Sequence, residues 1–222
     1  MNMVNRAYIF DKDGVLMDTD RHKSLAWERA LEKYDVDNGG EWYKSHIGTD
    51  GKVLTQRAVD EFNLPVSWEE FREERRRIYE EIRRSGTPLI VSSLVFLRKI
   101  SREYFKIGMA SSDRRERMED EMRQVNVFDL FDVMVSTSDD TPNQSKPDPA
   151  IYLLAAEKLD VNPERCVAIE DTVKGVKSAI SAGMRCVGFI NPESGKQDLE
   201  SAGAYITTND LSTFDPFRLF YL

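Results

Sequence analysis

The chain has 222 residues, 41% of them hydrophobic and 32% charged, with a net charge of −8 at pH 7. That length suits one α/β domain carrying an insertion, or two small domains, and is enough to bury a core. The acidic balance weighs against non-specific binding to nucleic acid or an anionic membrane surface, and no apolar run approaches the ~20 residues that span a bilayer.

The first residues lack a basic-then-apolar leader pattern because Asp11 and Asp13 interrupt it, so the expected compartment is the cytoplasm. Ala7 to Phe10 reads as a buried strand, followed at once by Asp11-Lys12-Asp13-Gly14. Extended backbone puts residues i and i+2 on one side, so the two carboxylates are expected to share a site. Such a pair needs a cation, a shared proton or solvent, and a divalent metal is the natural resolution. The alternative is a solvated acidic turn closing a strand.

From about Asp20 to Gly86 apolar residues recur at helical spacing, as in Val53, Leu54, Ala58, Val59 and Phe62. Ser67 and Glu70 form a capping-box pattern that opens a helix running to about Arg84, and Ser85-Gly86-Thr87-Pro88 stops it. Beyond Leu89 helix and strand alternate. Helices are expected over Val91–Ile100, Arg114–Gln124, Pro149–Lys158 and Val173–Ala182. Strands are expected over Lys106–Ala110, Asp132–Val135, Cys166–Ile169, Cys186–Ile190 and Ala204–Thr207. Cys166 and Cys186 read as buried free thiols. The pattern predicts an α/β fold: a Rossmann-like parallel sheet core with an inserted helical cap domain, divided as 1–17 and 87–222 for the core and 18–86 for the cap. A cap of this kind is expected above the C-terminal edge of the sheet, where ligands bind in open α/β sheets.

Three further strand ends carry chemistry. Ser111 and Ser112 offer hydroxyls and backbone N–H groups suited to phosphate, with N-capping by Ser112 or Asp113 as the plainer reading. Lys146 lies between prolines in Ser145-Lys146-Pro147-Asp148-Pro149 and reads as an aimed cation or a solvated one. Glu170 and Asp171 form a second acidic pair, with hard oxygens for Mg²⁺, although Asp171 or Thr172 could also cap the next helix. Together these groups supply what phosphoryl transfer requires, namely positioning and charge neutralisation.

The motifs Phe10-Asp11-Lys12-Asp13-Gly14-Val15-Leu16-Met17-Asp18-Thr19, Ala110-Ser111-Ser112, Ser145-Lys146-Pro147-Asp148-Pro149 and Ile169-Glu170-Asp171-Thr172, with Gly175 and Ala182-Gly183-Met184, occur in that order. The chain resembles the haloacid dehalogenase-superfamily phosphohydrolases, of the branch that includes β-phosphoglucomutase and phosphoglycolate phosphatase, along essentially its whole length. The resemblance implies a phosphomonoesterase acting on a small phosphorylated metabolite through an aspartyl-phosphate. It implies Asp11 as nucleophile, Asp13 as acid and base, and Ser111, Ser112 and Lys146 as phosphate ligands. It also implies Mg²⁺ held by Asp11, the backbone carbonyl of Asp13, Glu170 and Asp171. Asp13 favours phosphate esters over the carbon–phosphorus and carbon–halogen bonds cleaved elsewhere in the superfamily.

Substrate choice is expected to lie in the cap. His46-Ile47-Gly48-Thr49-Asp50-Gly51-Lys52 resembles the family's specificity loop, with Lys52 beside the position where mutases carry an arginine. Arg75 is the residue of the Arg75-Arg76-Arg77 run most suited to face substrate. Lys23 stands where sugar phosphomutases carry a histidine, and His22, one place early, is expected to be an exposed helical residue. These departures favour a hydrolase. A β-phosphoglucomutase-like mutase and a non-catalytic phospho-ligand or partner-binding relative remain the alternatives. The chain is expected to act as a monomer, and its aromatic C-terminus, Phe214 to Leu222, to pack on the core.

Overall fold

The computed structural model describes residues 5–47, 49–141, 143–191 and 198–220. Among these the chain forms two compact units. One runs to Met17 and resumes at Leu89, and the other spans Asp18–Pro88, two residues past Gly86. Met17 and Leu89 pair through an antiparallel bridge, so the two segments of the first unit meet where the insertion leaves and returns.

The first unit is built on six strands: β1 (Ala7–Phe10), β2 (Lys106–Ser111), β3 (Val133–Ser136), β4 (Cys166–Glu170), β5 (Arg185–Phe189) and β6 (Ile206–Thr208). All neighbours are parallel, in the order β3-β2-β1-β4-β5-β6. The order reverses direction at β1, so the crevice beside β1 and β4 is the topological switch point of the sheet. Helices α5 (Val91–Lys99), α6 (Arg115–Gln124), α7 (Thr137–Asp140), α8 (Ala150–Leu159) and α9 (Val173–Ser181) belong to this unit.

The middles of the central strands are apolar because both faces are covered, and alternate residues divide between two cores. On one face Tyr8, Phe10, Ile107, Met109, Val167 and Ile169 pack with Phe96, Leu97, Met118 and Met122. On the other Ala7, Ile9, Ala110, Cys166, Ala168 and Cys186 meet Ile151, Ala155, Leu159, Val176 and Ala179. Every residue of β1 is fully buried, and each such large apolar side chain contributes about 1.5–3 kcal/mol. Both cysteines are buried free thiols. The aromatic C-terminal segment covers the first core: Phe220 lies 5.2 Å from the Tyr8 ring, and Tyr8 Oη donates to the Pro216 carbonyl at 2.5 Å. Tyr221 and Leu222 lie outside the described residues.

The second unit holds α1 (Thr19–Glu32), α2 (Gly39–Lys44), α3 (Gly51–Glu61) and α4 (Trp68–Arg84). The capping box that opens α4 is formed, with Ser67 and Glu70 each bonding the other's backbone. Trp27 is the centre of this unit's core, with the Trp42, Tyr43 and Phe71 rings 5.4–5.9 Å away. His22 is buried in α1, which corrects the expectation of an exposed histidine. It sits four and eight residues before the buried Ala26 and Ala30, on the same helical face. No helix among the described residues is long and apolar enough to cross a membrane.

Candidate active site

Register brings the acidic motifs together. Phe10 pairs with Ile169 of β4 and with Met109 of β2, so Asp11 leaves β1 level with Glu170 on one side and Ala110 on the other. The Asp11 N–H donates to the Ile169 carbonyl at 3.0 Å, extending the ladder one residue past the strand. Carboxylate oxygens of Asp11, Glu170 and Asp171, all three buried, lie within 4.8 Å of one another.

Lys146 reaches the same point from the loop before α8. Its Nζ donates to Asp11 Oδ1 and to Glu170 Oε1, each at 2.5 Å, and to the Ala110 carbonyl at 3.2 Å. Tyr152 Oη of α8 also donates to Glu170 Oε1, at 2.6 Å. Two glycines allow this crowding. A Cβ at Gly14, where φ is +82°, would stand 1.9 Å from Asp171 Oδ2, and a Cβ at Gly175 would stand 1.9 Å from Glu170 Oε2.

The electrostatics follow from burial. Asp11 is pushed up to about 7 by burial, with Lys146 opposing the rise and Glu170 and Asp13 adding to it. Burial works against the Lys146 ammonium, but Asp11 and Glu170 overcome it and hold the group charged above its ordinary range. Three buried carboxylates facing one ammonium leave two negative charges when all are ionised. Hard oxygen donors with that excess suit a divalent cation such as Mg²⁺ or Ca²⁺.

A profile of the haloacid dehalogenase-like hydrolases matches residues 5–183. The chain belongs to this family. A phosphorylated carbohydrates phosphatase from Thermotoga maritima is 32% identical over 203 residues, covering 89% of this chain and 91% of its own length. The β-phosphoglucomutase of Bacillus subtilis is 32% identical over 190 residues, 82% of each chain. A crystal structure from Thermotoga maritima, provisionally assigned as a β-phosphoglucomutase, superposes with a TM-score of 0.77 at 27% identity, over 93% of this chain and 95% of that one. Within the family the chain is an enzyme of the phosphatase type.

Ser111 is the last, buried residue of β2, and its Oγ accepts the Asp113 N–H at 3.2 Å. Ser112 is exposed and neither it nor Asp113 caps α6. That helix starts at Arg115, with Arg114 in the capping position and no side-chain bond. Thr172 does cap α9, accepting the Gly175 N–H, and the Asp171 carboxylate lies with those of Asp11 and Glu170. The Asp13 side chain lies outside that group, with Oδ1 3.1 Å from Lys12 Nζ. In the helical unit Lys52 Nζ sits 4.9 Å from the centroid of the Trp68 ring and the Arg75 guanidinium 4.7 Å from that of Trp27. Gly48 of the specificity-loop motif lies outside the described residues.

Two groups were not anticipated. Tyr152 is buried in α8 with its hydroxyl on Glu170, and Lys12 is buried against three carboxylates. Tyr152 sits six residues after Lys146 in an apolar helix and gives no signal of its own. A lysine between two aspartates at the end of a buried strand was visible, but its partners were not.

Proposed function

We propose that the chain is a Mg²⁺-dependent phosphomonoester hydrolase acting on a small phosphorylated metabolite, a sugar phosphate or phosphoglycolate type, through an aspartyl-phosphate on Asp11. The observation that carries this reading is the buried set of Asp11, Glu170 and Asp171 around Lys146, at the switch point of a parallel sheet. The relative that acts on phosphorylated carbohydrates supports the substrate class.

In the proposed reaction an Asp11 carboxylate oxygen attacks phosphorus, and the bond from phosphorus to the ester oxygen breaks. Asp13 gives its proton to that oxygen as the alcohol leaves. Asp13 then takes a proton from water, which attacks the aspartyl-phosphate, releases inorganic phosphate and restores Asp11. Ser111, Ser112 and Lys146 hold phosphoryl oxygens, and Lys146 offsets their charge. Asp11, Glu170, Asp171 and the Asp13 carbonyl would hold Mg²⁺, which when bound supplies positive charge against the transferring group.

Replacing Asp11 with Asn is expected to abolish turnover of p-nitrophenyl phosphate, and near-normal turnover would sink the mechanism. A phosphomutase is the second reading, favoured by the identity to the Bacillus subtilis β-phosphoglucomutase. Lys23 speaks against it, standing at the mutase histidine position and paired with Asp20 at 2.8 Å. Incubation with β-glucose 1-phosphate and a bisphosphate activator separates the two: free phosphate means hydrolase, glucose 6-phosphate means mutase.

A further inference from the structure

Lys12 lies between the two aspartates of the first motif, and its side chain is 1% exposed. Its Nζ meets Glu121 Oε2 at 2.5 Å, Asp113 Oδ2 at 2.8 Å and Asp13 Oδ1 at 3.1 Å. An ammonium has three N–H donors, and these three carboxylates match them one for one. They come from three places: the turn after β1, the loop after β2 that follows Ser111, and the middle of α6. Glu121 is 3% exposed on a helix whose other buried residues are Met118 and Met122.

A buried ion cluster is a poor way to stabilise a fold. Apolar side chains of the same volume usually serve as well or better, so a retained cluster points to geometry more than to stability. Here the geometry concerns Asp13. Its side chain is 30% exposed, the most open of the three acids, and its Oδ1 meets the buried ammonium directly. The other two acids are more buried and anchor the ammonium to α6 and to the β2 loop.

We infer that Lys12 is a positioning residue that fixes the carboxylate of Asp13 for proton transfer to the leaving oxygen, through its simultaneous ion pairs to Glu121 and Asp113. This inference rests on the acid role given to Asp13 above. Proton transfer by a placed acid contributes about 10²–10⁴-fold, and only where the leaving group needs the proton. An alkyl phosphate needs it, whereas a 2,4-dinitrophenyl phosphate hardly does.

The test is the dependence of kcat/KM on leaving-group basicity, from 2,4-dinitrophenyl phosphate through phenyl phosphate to an alkyl phosphate. It is measured with Mg²⁺ in the parent chain, Asp13→Asn, Lys12→Met and Lys12→Met/Glu121→Gln. The double variant also neutralises the buried Glu121, whose charge loses its Lys12 partner in the single variant, and circular dichroism checks both. The expected result is a loss of about 10²-fold or more on the alkyl ester, against less than about 10-fold on the dinitrophenyl ester, in both lysine variants. A purely structural role would lower all substrates alike. A steepened series in Asp13→Asn with parallel, unsteepened series in the lysine variants overturns the positioning role alone. An unsteepened series in Asp13→Asn overturns the acid assignment beneath it.

Discussion

Gly175→Ala separates the demands of the site from those of the fold. Gly175 lies in α9, where alanine improves helix propensity by about 1 kcal/mol. The added Cβ would stand 1.9 Å from Glu170 Oε2, 2.0 Å from Cδ and 2.2 Å from Oε1. Restoring even a 3.0 Å contact therefore moves the carboxylate or the helix by about 1 Å, an overpacking cost of about 1–3 kcal/mol. The two contributions leave a net loss of about 0–2 kcal/mol, or a Tm lowered by about 0–8 °C for a chain of this size. Glu170 cannot yield cheaply, because it is 1% exposed and its Oε1 is bonded to Lys146 and Tyr152. A 1 Å error at the reacting centre costs about 10²-fold in rate. Gly175→Ala should thus lose about 10²-fold in kcat/KM on p-nitrophenyl phosphate and show a weaker Mg²⁺ half-saturation, while remaining folded. Gly183→Ala is the control, with φ +80° but nothing within 4 Å of the added Cβ. Activity and Mg²⁺ dependence within twofold of the parent in Gly175→Ala would refute the reasoning.

Other outcomes follow from the same geometry. Gly14→Ala combines a φ of +82° with a contact 1.9 Å from Asp171 Oδ2. Thermal shift with and without Mg²⁺ should show a fold weakened by about 1–3 kcal/mol and most of the metal-induced stabilisation gone. Lys146→Met leaves the carboxylates without their ammonium. Phosphate release should fall by about 10³-fold, and the metal-free fold should lose about 3 kcal/mol by denaturant titration at pH 8. Asp11 is raised to about 7 from an ordinary 3.8, so the metal-free folded state binds the extra proton between those values. That group's contribution to stability is therefore full below about pH 4, declines as pH rises to about 7, and is flat beyond. Mg²⁺ must displace the same proton, so its apparent affinity, followed by calorimetry, should weaken about tenfold per unit below pH 7 and level off above it.

Much of the fold was readable because the strands are short apolar runs and the helices carry their own punctuation. Lys106–Ala110 and Cys166–Ile169 sit inside the observed strands, and the Ser67–Glu70 capping box forms as written. The meeting of Asp11, Lys146, Glu170 and Asp171 was readable for a simple reason. Three of the four follow or end neighbouring parallel strands, and in such a sheet all strand ends lie on one edge. What stayed hidden depends on contacts between distant residues. The Lys12–Glu121 pair spans 109 positions, and Glu121 is one acid among several in a charged helix, with nothing local to mark it as buried. Ser112 looked like a helix cap, but the chain stays non-helical through Asp113, whose carboxylate pairs with Lys12 and whose N–H donates to Ser111. The burial of His22 is hidden in the sequence because it depends on the phase of α1 rather than on the residue's own polarity.

The most direct test of the account is to identify the residue that carries the phosphoryl group. A reaction with substrate and Mg²⁺ is quenched in acid within one turnover, the acyl phosphate is reduced with borohydride, and the peptides are mapped by mass spectrometry. The account predicts conversion of Asp11, and of no other aspartate, to homoserine, dependent on substrate and lost in Asp11→Asn. Homoserine at another position, or turnover with no trapped acyl phosphate at any quench time, would contradict it.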